Sequence, residues 1–177
     1  MPQKIDLHKL HSLDNPLVLY GHFNKLRGFG VEDYYPDVDQ FITILRDPLE
    51  LLISHYLFVK KQSGNWKDQS RVPEKDLHSY LKNTKPNMLN HFPREMNLDN
   101  YKNIIEESFI EIGITEKLAI SLQRIADKLG YEFDKNKLQK LNTTEHGQDI
   151  PGSFRDHFIK LNPLELAVYE YALSRYD

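Results

Sequence analysis

The stretch from Phe41 to Lys61, FITILRDPLELLISHYLFVKK, constrains this chain more than any other. It opens with Phe41-Ile42-Thr43-Ile44-Leu45, a short apolar run rich in β-branched and aromatic residues, as in a buried strand. Arg46 follows. Asp47 then offers an N-cap oxygen, Pro48 suits the first helical position, and Glu50 completes an Asp-x-x-Glu capping box. The spacing predicts a strand, a one-residue turn and a helix from Pro48 to about Lys61. That helix is apolar almost all round, through Leu49, Leu51, Leu52, Ile53, Tyr56, Leu57, Phe58 and Val59. Such a helix is expected to be buried. Ser54 and His55 are the polar groups in its middle, and Arg46, a cation ending a buried strand, needs an anion.

Two further segments have strand character. Leu17-Val18-Leu19-Tyr20 is a second short strand pattern, ended by Gly21-His22, and Phe109-Ile110-Glu111-Ile112 is a third. Helices are predicted from Pro73 to about Asn83, from a cap at Asn97 or Asp99 through Glu107, from Glu116 to Leu129 with Gly130 as its C-cap, and from Pro151 to about Lys160. Another opens at the capping box Asn162-Pro163-Leu164-Glu165. Asn24 to Gln40 reads as a loop, with Lys25 and Arg27 as cations and Tyr34-Tyr35-Pro36 as an aromatic segment. It could fold over an anionic ligand or a sugar, and it reads equally as a plain surface loop. Ligands gather at strand ends in α/β folds, so His22 is a candidate general base, since imidazole titrates near neutrality. The other reading of His22 is a strand-end side chain bonded to a backbone carbonyl.

Bulk properties narrow the field. A chain of 177 residues supports one domain with a real core, taken as residues 1–177. Hydrophobic residues make up 40% and charged residues 28%, which is the range of globular proteins. A formal net charge of −3 does not favour a nucleic acid partner. The absence of cysteine excludes disulfides, thiol catalysis and thiolate metal sites. His8 and His11 are three apart, but nothing suggests a third ligand, so no metal is expected. No apolar run approaches the roughly 20 residues of a membrane span, and no partner membrane is expected.

Arg46-Asp47-Pro48 after a strand, with Ser54 eight positions after the arginine and Tyr56 two further on, resembles the 3′-phosphate-binding motif of sulfotransferases. These enzymes use 3′-phosphoadenosine 5′-phosphosulfate (PAPS). The likeness is to the carbohydrate O-sulfotransferases, including the uronosyl 2-O-sulfotransferases, and it runs from about Tyr20 to the C-terminus. It implies that Arg46 and Ser54 hold the 3′-phosphate of the nucleotide: a guanidinium fork matches a phosphate and a hydroxyl adds one directed bond. Gly21-His22 matches a Gly-His pair whose histidine is the catalytic base in the 2-O-sulfotransferases. Ile112-Gly113-Ile114-Thr115-Glu116 is similar to the family's Ile-Gly-x-Thr-Glu segment, read here as structural: a strand end, a glycine turn and, at Thr115, an N-cap for the helix that follows.

The polar loop Asn142 to Gly147 stands where the family closes a loop over the nucleotide, which implies contacts from Thr143, Thr144 and Gly147. The interval from Gln62 to Asn97 stands where the family shapes its acceptor site, with Trp66, Arg71, His91 and Arg94 as candidates beside Lys25 and Arg27. The chain departs from the family at Leu51, where a second arginine is usual. It also has no segment reading Pro-Lys-x-Gly-x-Thr, the loop that cradles the 5′-phosphosulfate through backbone N–H groups and a lysine. The expected fold is α/β, a short parallel sheet flanked by helices, of the sulfotransferase type within the P-loop-like three-layer folds. The expected function is sulfuryl transfer from PAPS to a hydroxyl, on a carbohydrate. A non-catalytic nucleotide-binding or interaction module derived from a sulfotransferase is the alternative. Animal members of the family carry a membrane anchor, and none is visible here. A soluble intracellular protein of microbial or viral origin, or else a catalytic-domain fragment, without the N-terminal donor loop, is therefore expected.

Overall fold

The computed structural model describes residues 18–65, 69, 72–74, 76–138, 150 and 152–176. In chain order, the described elements are α1 (Val31–Tyr34), β1 (Phe41–Leu45), α2 (Pro48–Lys61), α3 (Leu77–Asn83), α4 (Tyr101–Ser108), β2 (Phe109–Ile114), α5 (Leu118–Leu129), α6 (Gly152–Leu161) and α7 (Pro163–Leu173). Short 3₁₀ turns join several of them, among them Lys25–Arg27, Met88–His91 and Thr115–Lys117. The fold is therefore mixed α/β, with a parallel two-stranded sheet among the described residues.

β1 and β2 pair with Ile42 beside Glu111, Thr43 beside Ile112, Ile44 beside Gly113 and Leu45 beside Ile114, after an irregularity between Phe41 and Ile42. Partners in a ladder share a face, so Ile42, Ile44, Glu111 and Gly113 look one way, and Thr43, Leu45, Ile112 and Ile114 the other. α5 covers the first face. A Cβ on Gly113 would lie 3.0 Å from both Ile44 Cγ1 and Ser121 Cβ. Glycine there lets α5 approach the sheet. Ser121, fully buried, accepts from the Ile114 N–H at 2.8 Å. On the second face Leu45, Ile112 and Ile114 join Ile105 of α4 and Val168, Tyr169 and Ala172 of α7 in the larger core.

α2 lies between two cores, which explains its nearly uniform apolar sequence. Leu51 packs toward the larger core, while Leu49, Leu52 and Ile53 form a second cluster with Leu77, Leu81, Phe154 and Phe158. His55 and Phe58 are exposed on its remaining side, so the expectation of burial all round is corrected to burial on two sides.

Several local expectations are also corrected. Val18 to Tyr20 forms no strand: Val18 is 58% and Tyr20 87% exposed, so nothing buries the run and no ladder holds it. Leu17 lies outside the described residues, as do His8 and His11. The loop from Asn24 to Gln40 contains a 3₁₀ turn and α1, and Asn24 and Phe29 bridge across the turn. α3 begins at Leu77, not at Pro73, because Asp76 is the residue that caps it, accepting from Ser79 N–H at 2.9 Å. Thr115 does not cap α5. Its hydroxyl donates to Leu45 O at 2.9 Å and ties the two strand ends together. Asn162 does not cap α7 with its side chain, since its amide donates to Phe158 O at 2.9 Å and closes the end of α6. Gly130 does cap α5, at φ 73°.

Candidate functional site

The carboxyl ends of β1 and β2 lie side by side and deliver Arg46-Asp47 and Thr115-Glu116 to one rim. Asp47 organises it. Its Oδ1 accepts from Leu49 N–H at 3.0 Å and Glu50 N–H at 3.1 Å, two of the donors that the first turn of α2 leaves unpaired. Its Oδ2 holds Arg155 of α6, and its own N–H donates to Glu116 Oε1 at 3.1 Å. The capping box is thus completed by a residue 69 positions away. Glu50, expected to reach back to Asp47, instead lies 3.9 Å from the Arg46 guanidinium. That pair supplies the anion that Arg46 needs.

Glu116 has a second partner, the phenol of Tyr169, which donates to it. Tyr169 is buried, and burial, followed by the nearby Glu116 and Asp47 carboxylates, pushes its phenol well above the ordinary tyrosine range. It stays neutral, a hydrogen-bond donor held under the rim.

Along α2, residues four apart share a stripe. Arg46 folds onto Glu50, and Ser54 is four residues beyond Glu50, half-buried. Arg46, Glu50 and Ser54 therefore run in line, with a carboxylate between the two residues expected to hold a phosphate. Leu51 faces the larger core and leaves the rim with no charge at that position. One turn on, His55 Nδ1 meets the Tyr80 hydroxyl at 3.0 Å. Loss of water lowers the His55 pKa and raises that of Tyr80, so both groups are held toward their neutral forms and share one hydrogen bond whose direction follows the imidazole tautomer.

The other sequence candidates are dispersed. His22 is exposed and does not end a strand. Its Nε2 is 3.4 Å from the Tyr20 hydroxyl and its ring meets that of Tyr20 edge-on. No hydrogen bond joins it to Arg46 or Ser54 among the described residues. Lys25 pairs with Glu32 at 3.9 Å, Arg27 lies exposed on a 3₁₀ turn, and Arg94 pairs with Glu107 at 3.4 Å on the surface. His91, read as an acceptor contact, hydrogen-bonds the carbonyl of Phe23 through Nδ1, and its Nε2 lies 3.4 Å from the Asn24 amide. Trp66, Arg71, Thr143, Thr144 and Gly147 lie outside the described residues.

Three participants were not singled out as site residues in the sequence. Arg155 and Glu116 are ordinary charged residues of amphipathic segments until the fold brings them to Asp47. Glu111 is the third. It is fully buried at the middle of β2, 3.1 Å from Arg124 Nε and 3.5 Å from Lys128 Nζ, and accepts from Ile112 N–H at 3.2 Å. Arg124 also donates to Arg175 O at 2.6 Å and stacks 4.4 Å over the Tyr176 ring. An acidic residue at an inward position of a strand is the one clue that β2 gave, and it marks a buried ion pair that joins the sheet to α5 and the C-terminal turn.

Compared with known proteins, the chain matches no family model, no curated protein and no solved structure. No group of three or more histidine or acidic side chains suited to a metal occurs among the described residues, and no described helix is long and apolar enough to cross a membrane.

Proposed function

We propose that this chain is a sulfotransferase-type domain that binds PAPS at the carboxyl ends of β1 and β2 and transfers its sulfuryl group to a hydroxyl, on a carbohydrate. Arg46 and Ser54 hold the 3′-phosphate. The acceptor oxygen attacks sulfur, the bond from sulfur to the bridging phosphate oxygen breaks, adenosine 3′,5′-bisphosphate leaves, and His22 takes the acceptor proton. The observation that carries the reading is the strand–turn–helix unit itself. It sets the guanidinium of Arg46 where a parallel strand runs into the N-terminus of a 14-residue helix, with Ser54 further along the same helix, four residues beyond Glu50. Strand carboxyl ends and helix N-termini both favour phosphate groups. The residues fit the 3′-phosphate end of the nucleotide in charge and hydrogen bonding; Glu50 opposes it.

A second reading, a nucleotide-binding module without transfer, is favoured by one finding: Val18 to Tyr20 form no strand, so His22 does not stand at a strand end of the sheet. Binding and transfer therefore need separate measurements. Calorimetry with adenosine 3′,5′-bisphosphate tests the first. Arg46→Ala should weaken binding by about 2–3 kcal/mol, as for a lost charged hydrogen bond, and adenosine 5′-monophosphate should bind much more weakly than the bisphosphate. Equal affinity for the two nucleotides refutes a 3′-phosphate site. Transfer of radiolabelled sulfate from PAPS to a panel of sugars tests the second. Transfer is expected to be very slow until a donor loop is supplied, because losing even one such donor costs about 10²–10³ in rate.

A further inference from the structure

Two guanidinium groups converge on the first turn of α2. Arg46 arrives from β1 and lies against Glu50; Arg155 arrives from α6, 108 positions away, and lies against Asp47. The two are not equivalent. Asp47 is held by two backbone N–H groups and its side chain is only 10% exposed, so the carboxylate that grips Arg155 has little freedom. The Arg155 side chain is 46% exposed. A guanidinium carries five N–H donors in a rigid fork, and Asp47 engages Nη2 alone. Arg155 is thus a half-exposed cation fixed in place by a buried anchor, with donors to spare at the rim where ligands of parallel sheets bind. A phosphate monoester carries nearly two negative charges, and Arg46 supplies one positive charge, part of it spent on Glu50.

We infer that Arg155 is a second ligand of the phosphate held by Arg46 and Ser54, so that one phosphomonoester dianion is clamped between guanidinium groups from β1 and α6. The inference rests on the nucleotide reading above and adds to it a residue from the far end of the chain. The clamp also couples ligand binding to the docking of α6 on α2, since Arg155 can meet the phosphate only while Asp47 holds it.

Calorimetry on the full chain with adenosine 3′,5′-bisphosphate tests this. Arg155→Gln should bind about ten- to a hundredfold more weakly, the loss expected for a charge-assisted hydrogen bond, with a shallower dependence of affinity on salt. Arg155→Lys keeps a charge for Asp47 but loses the fork, and should fall between Gln and wild type. A purely structural Arg155 would lower the melting temperature in these variants and leave affinity, measured well below melting, unchanged. Affinity of both variants within twofold of wild type overturns this inference and leaves the nucleotide site standing. No binding by the wild-type chain overturns the nucleotide reading and the clamp with it. Protection against phenylglyoxal, read by mass spectrometry on the unmutated protein, gives an answer even where a variant fails to fold. Saturating bisphosphate should shield Arg155 as well as Arg46, and undiminished modification of Arg155 refutes the clamp.

Discussion

Replacing Asp47 by alanine tests the joint on which fold and site both depend. Two contributions are lost. The first is the N-cap of α2, where Oδ1 serves Leu49 and Glu50 N–H at 3.0 and 3.1 Å; such a cap is worth about 1 kcal/mol. The second is the bond to Arg155. Enclosed, a charged hydrogen bond contributes about 1.5–3 kcal/mol, but Arg155 is 46% exposed, and solvent screening brings the figure down to about 0.5–1 kcal/mol. Asp47→Ala should therefore cost about 1.5–2 kcal/mol, or about 3–8 °C in melting temperature for a chain of this size. Asp47→Asn keeps a cap acceptor and loses the charge, so it should cost only the smaller second part. Urea unfolding followed by circular dichroism measures both, and a slope unchanged between variants licenses the comparison. The double variant Asp47→Asn, Arg155→Gln should show a coupling of about 0.5–1 kcal/mol. An alanine variant as stable as wild type refutes the reasoning, and so does an asparagine variant as damaged as the alanine one, because either result removes the cap from the account.

Glu50→Gln removes the carboxylate between Arg46 and Ser54 and should tighten adenosine 3′,5′-bisphosphate binding by about 1 kcal/mol, or about fivefold, by lost repulsion near the surface; weaker binding in calorimetry would mean that Glu50 instead positions Arg46. Glu111→Gln leaves Arg124 and Lys128 without their buried anion and should destabilise by about 2–3 kcal/mol in urea, below the range for fully enclosed pairs because both cations are partly exposed. Stability should also fall with acid through His55. Its folded pKa is lowered from 6.5 by loss of water, so the unfolded chain takes up the proton first; the contribution is full above that value and is lost as pH drops toward the folded pKa. Melting curves between pH 7.5 and 5.5 should be flatter for His55→Gln, and parallel profiles would assign the acid sensitivity elsewhere.

What the sequence determined by itself is the local grammar. β1 passing into α2, the cap at Asp47, β2, and α5 with its stop at Gly130 were all legible, because each depends on residues within about one turn or one pleat of each other. The nearly uniform apolar character of α2 was legible too, but its cause was not: two separate cores flank the helix, and His55 and Phe58 are exposed on its third side. The tertiary structure decided which partner each polar group takes. Glu116, not Glu50, receives the Asp47 N–H; Thr115 ties strand ends instead of capping α5; Asn162 closes α6 instead of opening α7; Glu111 is buried because α5 brings Arg124 and Lys128 to it. It also decided that Val18 to Tyr20, strand-like in pattern, stays outside the sheet of β1 and β2, since an apolar run becomes a strand only where a neighbouring edge and a covering face exist. Caps and periodicity compete over a few ångströms of chain and can be read along it. The partners of charged and hydroxyl side chains are chosen by packing between elements far apart in sequence, and the rim built from Arg46, Asp47, Glu116 and Arg155 exists only once those elements have met.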